Sequence, residues 1–153
     1  MAPAWLFGPA LWILGGAMSQ ENVEIVRRGY ALYAAGDLEA VSHLISDGAE
    51  LPDAGGLGVG DTAAGTREGP DGFLQGSQDA LDAFEDYRVE PEEFIDAGDA
   101  VVVPVRISGR GRVSGAMLEV RLVHVWVLRN GKAIRNEIYR TTAEAFETLG
   151  LSE

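Results

Sequence analysis

Two residues near the C-terminal end of the chain have the types and spacing to begin a binding site. In the run Met117 to Thr142, MLEVRLVHVWVLRNGKAIRNEIYRTT, side chains alternate with a period of two. Leu118, Val120, Leu122, His124, Trp126 and Leu128 share one side, and Glu119, Arg121, Val123, Val125, Val127 and Arg129 the other. Asn130-Gly131 folds the run back on itself, so Asn136 joins the first side together with Ile134 and Ile138. The product is an oily sheet face that holds one imidazole and one carboxamide. Apolar walls supply affinity and a few polar groups fix orientation, which is how a small-molecule pocket is made. The same pair also suits a core histidine satisfied by an amide. Tyr30 and Tyr33 are the other candidates, lining core or cavity with a hydroxyl that needs a partner when buried.

Which side chains oppose His124 depends on the turn. A two-residue turn of type I′ pairs Arg129 with Lys132 and sets His124 against Glu137, mixing apolar and charged partners. A three-residue turn with Gly131 as a left-handed bulge pairs Leu128 with Lys132. It sets His124 against Asn136, Trp126 against Ile134 and Leu122 against Ile138, leaving Glu119, Arg121, Arg135 and Glu137 on the far side. One slip of register moves every side chain of the return strand to the other face, so the second arrangement is expected.

The elements that must position these residues read as follows. Ser19 is expected to cap a first helix with Val23, Val26, Tyr30, Tyr33 and Ala34 inward, stopped by Gly36. Asp37 caps a second, with Leu38, Val41, Leu44 and Ile45 inward, and His43 falls between them as a solvated side chain. Ala49 to Leu51 suits a short strand, and the Gly-rich stretch Pro52 to Gly72 reads as a long loop, commonly either a lid or poorly ordered. Its Gly56 to Gly60 string lacks the Gly-Lys-Ser/Thr of a phosphate loop. Pro70 or Asp71 opens a third helix with Phe73, Leu74, Ser77, Ala80, Leu81 and Phe84 inward, weakened by Gly72 and Gly76. Strands are expected over Tyr87 to Ile95 and Val101 to Arg112, followed by the hairpin. Thr141 or Thr142 then caps a last helix that Gly150 ends. Helices first and an antiparallel meander afterwards predict an α+β domain, with helices across one face of a curved sheet.

Composition narrows the partners. The 153 residues suit one domain with a real core, placed at 18–153. The absence of cysteine removes disulfides and thiolate chemistry, and two histidines are too few for a histidine-rich metal site, so neither metal nor cofactor is expected. A net charge of −12 repels phosphate backbones and disfavours nucleic acid. Residues 1–17 carry no charged side chain and form an apolar extension outside the domain, too short for a membrane span of about 20 residues. Met18 reads as the natural start and the protein as cytoplasmic; the alternative is export, with 1–17 as a signal.

Three segments, SQENVEIVRRGYALYAAGDLEAVSHLI, FEDYRVEPEEFIDAGDAVVV and VHVWVLRNGKAIRNEIYRTTAEAFETLGL, together resemble the SnoaL-like group of the nuclear-transport-factor-2-like, or ketosteroid-isomerase-like, superfamily over about Met18 to Leu151. The resemblance implies a cone-shaped, curved antiparallel sheet whose N-terminal helices enclose a pocket, often in a homodimer. It implies less about activity, because the fold hosts isomerases, cyclases, epoxide hydrolases and carriers. Counted forward from Gly36-Asp37, the general base of the ketosteroid-isomerase relatives lands on Asp53. Their oxyanion-binding acid, counted back from the last hairpin, lands on His124, and their catalytic tyrosine lands on Gly29, beside Tyr30 and Tyr33. The aspartate that limonene-epoxide-hydrolase-like enzymes and SnoaL-type cyclases carry on the last long strand corresponds to Ile138. Their Arg-x-Asp is missing from Val103-Pro-Val-Arg-Ile-Ser108, so neither mechanism transfers.

By that resemblance, Asp53 would take a proton from carbon next to a carbonyl, its pKa raised by an apolar pocket. His124 would hydrogen-bond the developing enolate, with Asn136 as a second donor or as the group that fixes the ring's tautomer. Such a protein is a cofactor-free isomerase or cyclase acting on a hydrophobic ketone. Between Pro52 and Ala54-Gly55-Gly56, however, Asp53 also suits an ordinary turn. A second reading is a noncatalytic binder whose apolar ligand meets Tyr30, Tyr33, Leu122, Trp126, Asn136 and Ile138. A third is a dimeric scaffold in which Val123, Val125 and Val127 meet a second copy. The enzyme needs Asp53 and His124 on one cavity, the binder needs only the cavity, and the scaffold needs none.

Overall fold

In the computed structural model, residues 10–52 and 66–151 are described, with side chains from residue 19 onward. Helix α1 spans Ala10–Ala34, so Ser19 lies inside the helix rather than capping it. Its end is built as expected. Gly36 adopts φ +82°, its amide donates to the Tyr33 carbonyl at 2.9 Å, and the Asp37 amide donates to the Leu32 carbonyl at 3.0 Å. Asp37 Oδ1 then accepts from the Ala40 amide at 3.1 Å and starts α2, Leu38–Ser42. His43 follows α2, exposed and 3.6 Å from Glu39.

The remaining elements are β1 (Ile45–Pro52), β2 (Thr66–Glu68), α3 (Gly69–Ala83), β3 (Phe84–Pro91), β4 (Ile95–Ala97), β5 (Ala100–Gly111), β6 (Met117–Arg129), β7 (Lys132–Tyr139) and α4 (Thr142–Thr148). Together the strands form one curved, open sheet in the order β2-β1-β7-β6-β5-β3, with β4 also paired to β5. It is not wholly antiparallel, because β1 joins the free edge of β7 in parallel. Part of the stretch read as loop is ordered too: β2 pairs with β1, setting Arg67 against Leu51. Pro104 sits inside β5 where a missing N–H does no harm. Its carbonyl accepts from the Glu92 amide at 2.8 Å in the break between β3 and β4, where no regular ladder requires a donor.

The β6–β7 register corrects the expected turn and keeps the expected face. Asn130 and Gly131 have φ +53° and +79°, the two-residue type I′ geometry, and Arg129 pairs with Lys132. The ladder then shifts, because Ile134 has no partner between Leu128↔Ala133 and Val127↔Arg135. This bulge moves the strand by one residue and restores the parity that a plain I′ hairpin would lose. His124 therefore opposes Ile138, not Asn136, and Trp126 opposes Asn136, not Ile134.

The sheet separates two packed regions. On the inner face Val101, Val103, Val105, Ile107, Leu122 and Ile138 pack beneath α1, which Asn22 ties to the β4–β5 turn by donating to the Gly98 carbonyl at 3.2 Å. On the outer face Val102, Val123 and Val125 lie under Ala145, Phe146 and Leu149 of α4. The helices are thus divided between faces, correcting the expectation that all lie on one. Thr141 caps α4 by accepting from the Glu144 amide at 3.1 Å. Val123 and Val125, offered by the scaffold reading to a second copy, are covered from within the chain, at 4% and 0% exposure.

Candidate functional site

Helical and strand periodicities converge on one hollow. Val26, Tyr30 and Tyr33 recur at helical spacing on α1, and His124, Trp126 and Leu128 at strand spacing on β6. Between them lies a cavity of about 130 Å³, lined further by Leu44, Ile45 and Leu51, by Phe73 and Ser77 of α3, and by Ala133 and Asn136 of β7. Its wall is mostly hydrocarbon.

The polar groups in that wall are organised by Tyr30. Trp126 Nε1 donates to the Tyr30 hydroxyl at 2.9 Å, and that hydroxyl lies 2.7 Å from His124 Nδ1. Since an indole N–H only donates, the phenol accepts from Trp126, while the imidazole's tautomer sets which of Tyr30 Oη and His124 Nδ1 donates to the other. Burial pushes the Tyr30 phenol well above its ordinary value, against the smaller opposing effect of the Trp126 hydrogen bond, so it stays neutral. Nε2 is buried beyond the reach of water, and the ring faces the cavity with Nδ1 already engaged. The group expected to orient His124 was Asn136. Instead Asn136 Nδ2 donates to the Val125 carbonyl at 3.1 Å, across the strand pair.

Tyr33 also lines the cavity, with its ring edge against Phe73 at a centroid distance of 6.3 Å. Its phenol is raised by burial, offset in part by a hydrogen bond with Ser77. Leu122 and Ile138 do not line the cavity; they are packed in the inner core. The reason is position along the strand. Both lie farther from the hairpin turn than Trp126 and Asn136, where α1 closes directly on the sheet, while the hollow opens toward the turn. Asp53 lies outside the described residues. Gly29, the position aligned with the family tyrosine, faces Leu44 Cδ1, and Tyr30 one residue on supplies the hydroxyl that meets His124.

The sequence reading missed Arg67. It lines the cavity and donates from Nη2 to Asp79 Oδ2 at 2.7 Å, while Gln75 donates to Asp79 Oδ1 at 3.0 Å. Gly72 and Gly76, read as weak points of α3, are where it passes. A Cβ on Gly72 would come within 3.0 Å of Arg67 Cβ, and one on Gly76 within 3.2 Å of Arg67 Cδ. Glycines one turn apart on a helix were the available signal of a close approach. Among the described residues no group of three or more His, Cys, Asp or Glu is placed to hold a metal ion, and no helix is long and apolar enough to cross a membrane.

Residues 26–136 match the SnoaL-like domain. The chain belongs to the SnoaL-like family. This SnoaL-like domain is similar to a nuclear-transport-factor-2-like protein of unknown function from Burkholderia pseudomallei, at 27% identity over 83% of this chain and 95% of that one, with a TM-score of 0.64. It is similar to TerC, co-crystallised with polyporic acid, at 27% identity over 85% and 98% of the two chains and a TM-score of 0.64. A Catenulispora acidiphila protein with a ketosteroid-isomerase-like fold, in complex with trimethylamine, matches at 17% identity over 84% and 94% with a TM-score of 0.64, a likeness of fold alone. A search of curated proteins found no match.

Proposed function

We propose that this SnoaL-like domain binds a small, mostly apolar molecule, about one ring in size, in the cavity between α1, α3 and the β6–β7 hairpin. The observation that carries the reading is the hydrogen-bonded chain Trp126, Tyr30, His124 set into the wall of a hydrocarbon-lined cavity of about 130 Å³. A cavity on the order of 150 Å³ holds a benzene ring. The chain of bonds holds Tyr30 rigid, and its hydroxyl keeps one further hydrogen-bonding position after meeting Trp126 and His124. Asn136 retains a carbonyl oxygen and a second N–H after its bond to Val125. A ligand with one polar group on an apolar body meets both requirements. The co-crystal of TerC with polyporic acid supports the class of a small organic ligand.

Native mass spectrometry of freshly purified protein, followed by calorimetric titration with single-ring probes, tests the proposal. Bound mass or probe binding is expected in the wild type and is lost when Ala133→Leu fills the cavity. Binding in neither protein removes the reading.

Proton transfer is a second activity for the same cavity, favoured by the neutral Tyr30 phenol in its wall. The carboxylate it needs would be Asp53. Asp53→Asn should abolish turnover of any ketone the cavity accepts while leaving its binding nearly intact, and unchanged turnover rejects the mechanism. A homodimer belongs to the same proposal, and sedimentation velocity showing a monomer rejects it.

A further inference from the structure

We infer that the ligand carries a hydrogen-bond donor, an O–H or N–H on its ring, and that the side-chain oxygen of Asn136 receives it. This rests on the proposal that the cavity binds a small molecule, and it names the polar group that the molecule presents.

Asn136 belongs to β7, an interior strand flanked by β1 and β6, and its side chain lies on the sheet face that meets the cavity. The residue is only 9% exposed. Its amide cannot be turned around. Nδ2 lies 3.1 Å from the Val125 carbonyl, and a carbonyl only accepts, so the atom that faces it must be the nitrogen. The oxygen is left with two lone pairs that no described residue uses. It is not sealed off, because a water-sized sphere reaches it. With a strand on either side and the cavity in front, that reach is from the cavity.

The other polar side chains of the wall are engaged within the protein. Trp126 and His124 meet the Tyr30 hydroxyl, Tyr33 is hydrogen-bonded with Ser77, and Arg67 is paired with Asp79. Asn136 Oδ1 differs from them in keeping its whole capacity for a ligand. An amide oxygen cannot donate, so only a donor satisfies it. A molecule that fills the cavity excludes water from this oxygen, and one without a donor leaves it buried and unsatisfied, at the full desolvation cost of the group. A site built in this way rejects an analogue that lacks the donor more strongly than it rejects a small change of shape. The bond to Val125 sharpens the choice, because it holds the amide so that the oxygen cannot swing aside. The cavity's hydrocarbon lining takes the ring.

Calorimetry with phenol, anisole and toluene tests this on the full chain: the three share one ring and carry, in turn, a donor, an acceptor alone and neither. In Asn136→Leu, which keeps the branched shape, the affinity of phenol relative to toluene should fall about tenfold, and that of anisole relative to toluene should stay within about twofold. An unchanged phenol ratio overturns the inference and, with toluene bound, leaves the cavity proposal standing. So does an equal fall for phenol and anisole, which would make the amide N–H the group that reads the ligand. Should Asn136→Leu fail to fold, the wild type decides. Phenol should move the Asn136 side-chain amide nitrogen downfield of its position in the toluene complex in nitrogen–proton correlation spectra, because a bond to the oxygen polarises the amide; coincident positions overturn the inference. Binding of none of the three by the wild type overturns the cavity proposal and the inference with it.

Discussion

The two faces of β6 are packed to different ends. On the outer face Val123 and Val125, with Val102 from β5, are sealed by α4 around Ala145, and the Tyr139 hydroxyl beside them donates to Glu137 Oε1 at 3.0 Å. Beyond α4 that face carries the charge pairs Arg106–Glu119 and Arg121–Glu92. The inner face, one residue away at each step, holds His124, Trp126 and Asn136 and leaves a hollow beside them. Unfilled space forfeits packing contacts, and buried polar groups are costly unless each finds a partner. The outer face avoids both costs and the inner face accepts both, within a single strand. That contrast places the close-packed side of β6 under α4 and the cavity on its other side.

The largest effect should come from breaking the sealed face. Val125→Asp places a carboxylate without a partner beneath α4, at a residue that is 0% exposed, and should cost upward of about 4 kcal/mol. Urea unfolding measures it, and a near-normal midpoint would mean that α4 does not seal that face.

Tyr30→Phe attacks the other side. It leaves His124 Nδ1 and Trp126 Nε1 without the hydroxyl that joins them, for a loss of about 1–3 kcal/mol in urea unfolding. In the double variant Tyr30→Phe/Trp126→Phe the two losses should not add, because they share one oxygen.

A pH series sharpens the contrast. The unfolded-state tyrosine ionises near 10.0, and burial raises Tyr30 above that value in the folded protein. Above this pH the unfolded chain releases the proton first, so the folded state holds more protons and stability falls as pH rises. Below it the contribution is constant. Each such tyrosine adds a slope of at most about 1.4 kcal/mol per pH unit, and Tyr33, Tyr87 and Tyr139 are also raised. Urea midpoints across this range should fall less steeply in Tyr30→Phe than in the wild type; equal slopes would show that the phenol is not buried.

The smallest effect is expected on the charged part of the outer face. Arg121→Ala removes a 3.4 Å pair from a side chain that is 73% exposed. It should change stability by less than about 1 kcal/mol. A larger loss would show that the face is covered, which points to the second copy of a dimer.

What was legible in the sequence is what neighbouring residues determine among themselves. Gly36 and Asp37 end one helix and start the next, Thr141 caps the last, and the period of two assigns Trp126 and Val125 to opposite faces, because caps and alternation depend on a few adjacent dihedrals. Even the face shared by Trp126 and Asn136 followed from polarity, although the turn and the opposing residues did not, since Ile134 bulges for reasons the local pattern does not carry. Only the tertiary structure decided that α4 crosses to the far face, that β1 runs parallel to β7, and that Leu122 and Ile138 fall in solid core rather than at the hollow. It alone joins Tyr30 to His124 across 94 positions of chain and lays Arg67 over two glycines of α3. Contacts of that kind are set by which surfaces meet when the core closes: the spacing of Gly72 and Gly76 marks a close approach on α3 but does not name the side chain that makes it.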